Sequence, residues 1–314
     1  MISLIQLQYI IAVDTYRHFA TAAEKSFVTQ PTLSMQIKKM EEELGVKLFD
    51  RTKQPVVPTD VGKKVIEQAR LILSEFNKID QLVQDHTGNV GGELRVGIIP
   101  TLATTLLPSF VGKLCRDYPT VKVNVWERQT NQLLEMLSQE LLDVAIVVTP
   151  LAGGQFKERV IGYEGIEVYA HPEHEFAREA HILPEALQRP DIWLLSDGHC
   201  FRSQVVNLCA YQSLSEEGRN FQYASGSLET LCRLVEEEGG FTLMPEMYTS
   251  SMSDKSKGVV RPLAGDMPLR QISLVYTRNF VKERLLGILH QYITAALPEP
   301  MKEPGRGFIV EWDT

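Results

Sequence analysis

Thr29-Gln-Pro-Thr-Leu-Ser-Met-Gln-Ile-Lys-Lys-Met-Glu-Glu-Glu-Leu-Gly45 decides how the first part of this chain folds. Both ends of a helix are written into it. Thr29 can accept a hydrogen bond from the first turn, Pro31 stands where a missing N–H is harmless, and Gly45 can take the left-handed conformation that ends a helix. Leu33, Ile37, Met40 and Leu44 recur at helical spacing and predict a buried stripe. Pro31, Thr32, Ser34, Met35, Lys38 and Lys39 point the other way. Small hydroxyls near the N-terminus and two lysines further along suit a helix lying in a DNA major groove. There Gln30, Thr32 and Ser34 can meet base edges while Lys38 and Lys39 meet phosphates. The competing reading is an ordinary amphipathic helix with a solvated face.

The flanks favour the first reading. Upstream, Leu4, Leu7, Tyr9, Ile10 and Ile11 predict a helix over 4–16, and Phe19 to Ser26 a short second one whose Ala20, Ala22 and Ala23 allow close approach. Downstream, Phe49-Asp-Arg-Thr-Lys-Gln-Pro-Val-Val-Pro58 reads as a hairpin carrying Arg51 and Lys53, a basic wing. From Thr59 a long helix is predicted, with Val61, Val65, Ala69, Ile72, Leu73, Phe76, Ile79 and Val83 every three to four residues. Some 27 residues span roughly 40 Å, too long and one-sided for an internal helix of a small domain. It reads as a dimerising linker. Gly88-Asn-Val-Gly-Gly92 then breaks it as a hinge.

This order resembles the LysR-type regulators. Ala22-Ala23 through Gln30-Pro-Thr-Leu-Ser34 to Leu44-Gly-Val-Lys-Leu-Phe-Asp-Arg51 is similar to that family's signature. The resemblance implies a winged helix-turn-helix DNA-binding domain over 1–58, a linker helix over 59–87, a hinge over 88–92 and an effector domain over 93–297.

Charge does not oppose this. The net charge is −8, but residues 1–87 hold 11 Lys and Arg against 11 Asp and Glu, so the imbalance lies entirely beyond them. The basic groups need only gather on one face. With 314 residues, 44% of them hydrophobic, the chain can build two or three cores. No apolar run is long enough to span a bilayer, and the N-terminus lacks the pattern of a secretory signal, so a bacterial cytoplasmic protein without membrane partners is expected. Zinc-like His and Cys spacings are missing, and no metal or cofactor is expected.

From Glu93 onward strands and helices alternate. Leu94–Ile99, Val121–Val125, Asp143–Val148, Ile192–Leu195, Phe241–Met244 and Ile272–Tyr276 read as strands, with helices such as 132–142, 228–237 and 281–296 between and after them. The pattern predicts parallel sheets covered by helices, arranged as two Rossmann-like lobes with a ligand cleft between them. Such a unit is similar to the periplasmic-binding-protein-like effector domain of the LysR family. The expected fold class is therefore α/β behind an all-α winged helix-turn-helix domain and its linker. Residues 298–314, rich in Pro, Gly and charge, are expected to be mostly mobile, although 308–312 could dock.

Four cysteines are too few for a disulfide scaffold. Cys115 and Cys232 lie in helical stretches beside apolar residues and read as packing. Cys200 differs, since it follows Asp197-Gly-His199 at the start of a helix-like run that reaches Cys209. A helix N-terminus and a neighbouring imidazole both lower a thiol pKa, and the thiolate is the form that attacks a peroxide. Nine helical residues at ~1.5 Å each set the two Cα atoms about 13 Å apart, whereas a disulfide needs less than ~7 Å. Forming the bond would require this segment to move, as a switch does.

Asp197-Gly-His-Cys200 with Cys209, Ser227-Leu-Glu-Thr-Leu231, Phe241-Thr-Leu-Met-Pro245, Ile98-Ile-Pro-Thr101 and Gln129-Thr-Asn-Gln-Leu-Leu134 resemble the OxyR-type hydrogen-peroxide sensors within that family. The resemblance implies a peroxidatic Cys200 and a resolving Cys209. It also implies a peroxide pocket of Thr101, Thr130, His199 and Arg270. From the residues alone, Thr101 and Thr130 also read as helix caps, and Arg270 as a strand-end charge. The expectation is a non-enzymatic regulator of the oxidative-stress response. By the resemblance it binds double-stranded promoter DNA as a homodimer or homotetramer, engages RNA polymerase, and is reset by a thioredoxin- or glutaredoxin-type reductant. Two alternatives remain open: a LysR-type regulator of a small organic effector with structural cysteines, and a thiol peroxidase with an appended DNA-binding module.

Overall fold

A computed structural model describes residues 2–87, 90–209, 226–252, 256–278, 280 and 282–311. It divides into two compact units, residues 1–89 and 90–314.

The first unit opens with α1 (Leu4–Tyr16), α2 (Phe19–Lys25) and α3 (Gln30–Leu44). Ser3 accepts from the Gln6 N–H to start α1, and Thr29 accepts from the Thr32 N–H at 3.4 Å to start α3. Gly45 closes α3 at φ 68°. Strands β1 (Phe49–Asp50) and β2 (Val57–Pro58) pair antiparallel, and α4 (Asp60–Thr87) follows. Thr59 caps α4, its hydroxyl accepting from Gly62 N–H at 2.9 Å. Leu7, Ile10, Val13, Ala22, Leu33, Ile37, Met40 and Leu48 form the core, joined by Ile66 and Ala69 from the first turns of α4. Leu44 lies at the rim of this core. The long stripe on α4 divides: Val65, Ala69 and Leu73 turn toward the small core, while Val61, Ile72, Phe76 and Ile79 stay exposed on a single chain. The side chain of Val83 lies outside the described residues.

The second unit runs β3 (Gly92–Ile98), α5 (Pro100–Asp117), β4 (Val121–Glu127), α6 (Thr130–Ser138), β5 (Val144–Thr149), β6 (Phe156–Ala170), α7 (Cys200–Leu208) and α8 (Leu228–Glu238). It continues with β7 (Phe241–Pro245), α9 (Glu246–Ser250), β8 (Val259–Arg261), β9 (Met267–Thr277), α10 (Glu283–Ala296) and β10 (Gly307–Ile309). The strand order is β4-β3-β5-β9-β6-β7, with β8 on β6 and β10 on β9. β3 is parallel to β4 and β5, whereas β9 is antiparallel to both β5 and β6. The sheet is therefore mixed, not parallel throughout as the alternation suggested. β6 serves both lobes: residues 156–165 pair with β9, and 166–170 pair with β7 and β8. Two separate cores result, one around β3, β5, α5 and α10, the other around β7, α8 and the end of β6.

Three further readings are corrected. Ile192–Leu195 forms an isolated bridge from Ile192 to Phe241 and no strand. Cys115 is exposed, because its neighbour Leu114 takes the inward position on α5. The tail is not loose over its described length: Met301 and Val310 are buried, and Gly307–Ile309 add a parallel strand to Met267–Leu269. The strand β6 has no counterpart in the sequence pattern, since its first half is charged and exposed and its second half uniformly buried, with no sustained alternation.

Candidate functional site

On α3, Gln30, Pro31, Lys38 and Lys39 are exposed, with Thr32 and Ser34 half-buried. Arg51 and Lys53 are exposed on the turn between β1 and β2. Arg51 is already engaged: its guanidinium donates to Ser34 Oγ at 3.2 Å and Glu41 Oε2 at 3.3 Å, and stacks over Phe19 at 4.8 Å. Glu41 is the residue the sequence reading passed over. Buried, it accepts from the Leu48 N–H at 2.9 Å and the Phe49 N–H at 3.4 Å, pinning the wing to the helix. A signal was present: 41 follows 33 and 37 in steps of four, so an acid occupies the apolar stripe.

In the second unit, Cys200 is the first residue of α7. The turn that delivers it packs against the residue preceding α6. Gly198 has φ 88°, and a Cβ there would stand 2.8 Å from Gln129 Oε1. Thr130 is then the first residue of α6 and Thr101 the second of α5, so neither is the cap residue. Arg270 comes from β9 and is fully buried. It donates to Thr101 Oγ1 at 2.8 Å and to Glu164 Oε2 at 3.2 Å, and lies 4.8 Å from the ring centroid of Phe201. Thr130 from α6 and Arg270 from β9 thus act on Cys200, Thr101 from α5 holds Arg270, and His199 precedes Cys200 as the cap of its helix. Arg270 Nε is buried with no hydrogen-bond partner among the described residues, while the Thr130 hydroxyl faces the Cys200 thiol. The guanidinium N–H is left for a small polar guest.

Glu164, bonded to Arg270, and Gly226, packed on His199, adjoin these residues and were not anticipated. Glu164 also accepts from the Met247 N–H at 3.0 Å, so it ties Arg270 to the start of α9. Gly226 passes directly over the imidazole, where a Cβ would come within 2.4 Å of His199 Nε2. Glu164 had no legible signal because β6 itself had none.

The electrostatics differ from the expected low thiol pKa. Burial pushes the Cys200 thiol up, outweighing the Arg270 guanidinium, the Thr130 hydroxyl and the N–H groups of Cys200 and Phe201, all of which favour thiolate. Burial also holds the His199 imidazole below its ordinary value, so the ring is a neutral neighbour and the cation is Arg270. Glu164 is pushed up to about 7 by burial, against the pull of Arg270. Cys209 is pushed up to about 12 by burial alone.

Cys200 and Cys209 are both free thiols. Cys200 packs in the first lobe's core and Cys209 in the second's. Cys209 closes α7, its N–H bonded to the Val205 carbonyl at 3.0 Å. A wound α7 keeps the two Cα atoms about 13 Å apart. Among the described residues no three His, Cys, Asp or Glu side chains converge as a metal would require, and no helix is long and apolar enough to cross a membrane.

Residues 4–63 match the family model of the bacterial regulatory helix-turn-helix protein, lysR family, and residues 87–298 match the LysR substrate binding domain. This chain belongs to the LysR family. That family is one of transcriptional regulators, not an enzyme class. Within it, this LysR-family chain is 36% identical over 270 residues to the hydrogen peroxide-inducible genes activator of Haemophilus influenzae, covering 86% of this chain and 89% of the relative. It is 33% identical to the DNA-binding transcriptional dual regulator OxyR of Escherichia coli K12, covering 86% and 88%. A full-length OxyR variant from Pseudomonas aeruginosa superposes with a TM-score of 0.79 at 29% identity, over 94% of this chain and 98% of that one. A Corynebacterium glutamicum OxyR mutant with hydrogen peroxide bound gives 0.62 at 29%, over 94% and 92%. The relatives place the chain on the OxyR-type branch of the family.

Proposed function

We propose that this regulator senses hydrogen peroxide through a reversible Cys200–Cys209 disulfide and converts that change into altered promoter binding. One observation carries the reading: the two thiols stand at opposite ends of one nine-residue helix, each in a different lobe's core, with a partly unpartnered polar pocket around the first. Peroxide entering beside Cys200 would meet the Thr130 hydroxyl and the Arg270 guanidinium. The Cys200 thiol first gives up its proton; its thiolate attacks one peroxide oxygen, the S–O bond forms as the O–O bond breaks, and the departing hydroxide takes up a proton to become water. Arg270 stabilises the negative charge that passes through this step. The sulfenic acid then condenses with Cys209, releasing a second water and leaving the disulfide. Two thiols have supplied two electrons to one peroxide.

The bond length forces α7 to unwind or shift, and the two lobe cores rearrange with it. The exposed face of Val61, Ile72, Phe76 and Ile79 on α4 supports pairing of two chains through residues 59–87, and a homotetramer by family likeness. Gln30, Pro31, Thr32 and Ser34 would read base edges of promoter DNA, with Lys38, Lys39, Arg51 and Lys53 on phosphates and RNA polymerase as the downstream partner. A dithiol reductant of thioredoxin or glutaredoxin type would restore the reduced state in the bacterial cytoplasm.

Cys200→Ser is the test. The variant should bind its promoter as the wild type does and lose the response to peroxide in transcription. An unchanged peroxide response would refute the reading and leave a regulator of some other effector.

A further inference from the structure

The C-terminal strand reaches the helix between the two cysteines. β10 lies on Met267–Leu269, immediately before Arg270 in β9. The next residue, Val310, donates its N–H to the Leu269 carbonyl at 2.9 Å and buries its side chain in the second lobe's core. From there the backbone meets α7. Gln204 Nε2 donates to the Val310 carbonyl at 2.9 Å, and Asn207 Nδ2 to the Glu311 carbonyl at 3.1 Å. Positions 204 and 207 are three apart, so both face the same way on a wound helix and cannot keep both bonds once it unwinds. Gln204 is completely buried, and its Oε1 has no partner among the described residues, so its one buried bond is the bond to the tail. Arg306 anchors the near end of the strand on Glu246.

We propose that Gln204 and Asn207 are positioning residues for the disulfide-closing step, and that the segment 306–311 is a strap that holds α7 wound until Cys200 has been oxidised. The inference rests on the peroxide reading for its oxidant, and adds that the resolving step is gated by the tail. The strap bonds only the wound helix, so it favours the reduced form, slows closure and makes the disulfide easier to reduce. The steps it governs are balanced as above: Cys209 attacks the Cys200 sulfenic sulfur, the S–S bond forms and water leaves.

Two variants of the full-length chain release the strap from opposite sides. A Cβ at position 307 would stand 1.9 Å from the Met267 carbonyl oxygen, so Gly307→Ala lifts β10 without altering any residue of α7. Gln204→Met keeps a helix-forming side chain of similar size and removes the bond to Val310. After mixing with hydrogen peroxide, sulfenic acid is followed by dimedone trapping and closure by thiol blocking. Gln204→Met should form sulfenic acid at the wild-type rate, and each variant should close the disulfide about fivefold faster, the size expected from one net hydrogen bond. The double variant should close no faster than the singles, since both open the same contact. Disulfide equilibrium against a glutathione buffer should shift toward the oxidised protein in the same proportion. Unchanged or slower closure in Gln204→Met, with or without a lowered Tm, overturns the strap and leaves a merely structural tail. Absence of any Cys200 sulfenic acid in the wild type sinks the peroxide reading instead. In that case the glutathione equilibrium alone judges the strap, and an unshifted equilibrium overturns it.

Discussion

Helices α3 and α7 carry the two candidate sites, and they are built in opposite ways. α3 carries its ends, its buried stripe and its outward face within one continuous stretch, a fifteen-residue helix between the Thr29 cap and the Gly45 stop. α7 carries one cysteine at its start and is capped by the other. What surrounds them comes from elsewhere: Thr101 from α5, Thr130 from α6, Arg270 from β9, Glu164 from β6, and the clasp on Gln204 from the last strand. A helix that presents a face to a partner can be specified locally. A helix that must be held in one state and released into another has to be gripped by groups that are not its own.

The contrast can be broken or sharpened by substitution. The largest effect is expected at Arg270, the buried cation beside Cys200. Arg270→Met should slow the reaction with peroxide about 100-fold, measured by stopped-flow, the loss typical of a single preorganised charge stabiliser. The wild-type rate should itself keep rising with pH through 9, because the folded thiol titrates above its ordinary value of 9.0 and only the thiolate attacks. A rate already level at pH 7 would show that Arg270 outweighs burial. Next comes Glu41, a buried acid of α3 that holds a distant segment. Glu41→Ala leaves the buried Leu48 N–H without an acceptor and should cost about 2 kcal/mol in urea unfolding. A loss near zero would mean that water replaces the carboxylate.

Smaller again are the lysines. Lys38→Ala and Lys39→Ala should each weaken DNA binding about equally across sequences, and each should reduce the slope of log affinity on log salt by about 0.9. A change in sequence preference would move those lysines from phosphates to bases. The smallest effect is at His199. Its folded imidazole pKa lies below the ordinary 6.5, so below about pH 6.5 the unfolded chain takes up a proton that the folded chain refuses. Stability should therefore fall as pH drops from 6.5 toward the folded value, and His199→Asn should flatten that part of the Tm profile. An unaltered slope would remove His199 from the buried pocket.

Legibility followed the same divide. Helices α1 to α4 were readable from their helical period, and the wing and the strands β3, β4 and β5 from short β-rich runs bounded by turn residues. β6 was not, since it leaves one core for another midway and half of it is charged. The mixed sheet was hidden for the same reason, as strand direction is decided by partners. The tail was read as mobile from its Pro, Gly and charge, yet Gly307 is the residue that lets the strand approach the Met267 carbonyl. The cysteine pair was visible and its pKa was not. Helix start and histidine argued for a low value, and only the burial of both Cys200 and His199 reverses the sign.

The sequence by itself determined the helix-turn-helix, its linker, the α/β alternation and the spacing of two thiols too far apart to bond on one helix, because these depend on periodicity, capping and rise per residue. Tertiary structure alone decided which groups surround Cys200, that its thiol is held protonated by burial, and that the last strand grips α7. Desolvation and long-range pairing depend on what is brought close in space, and residues as distant in the chain as Gln204 and Val310 carry no local sign that they will meet.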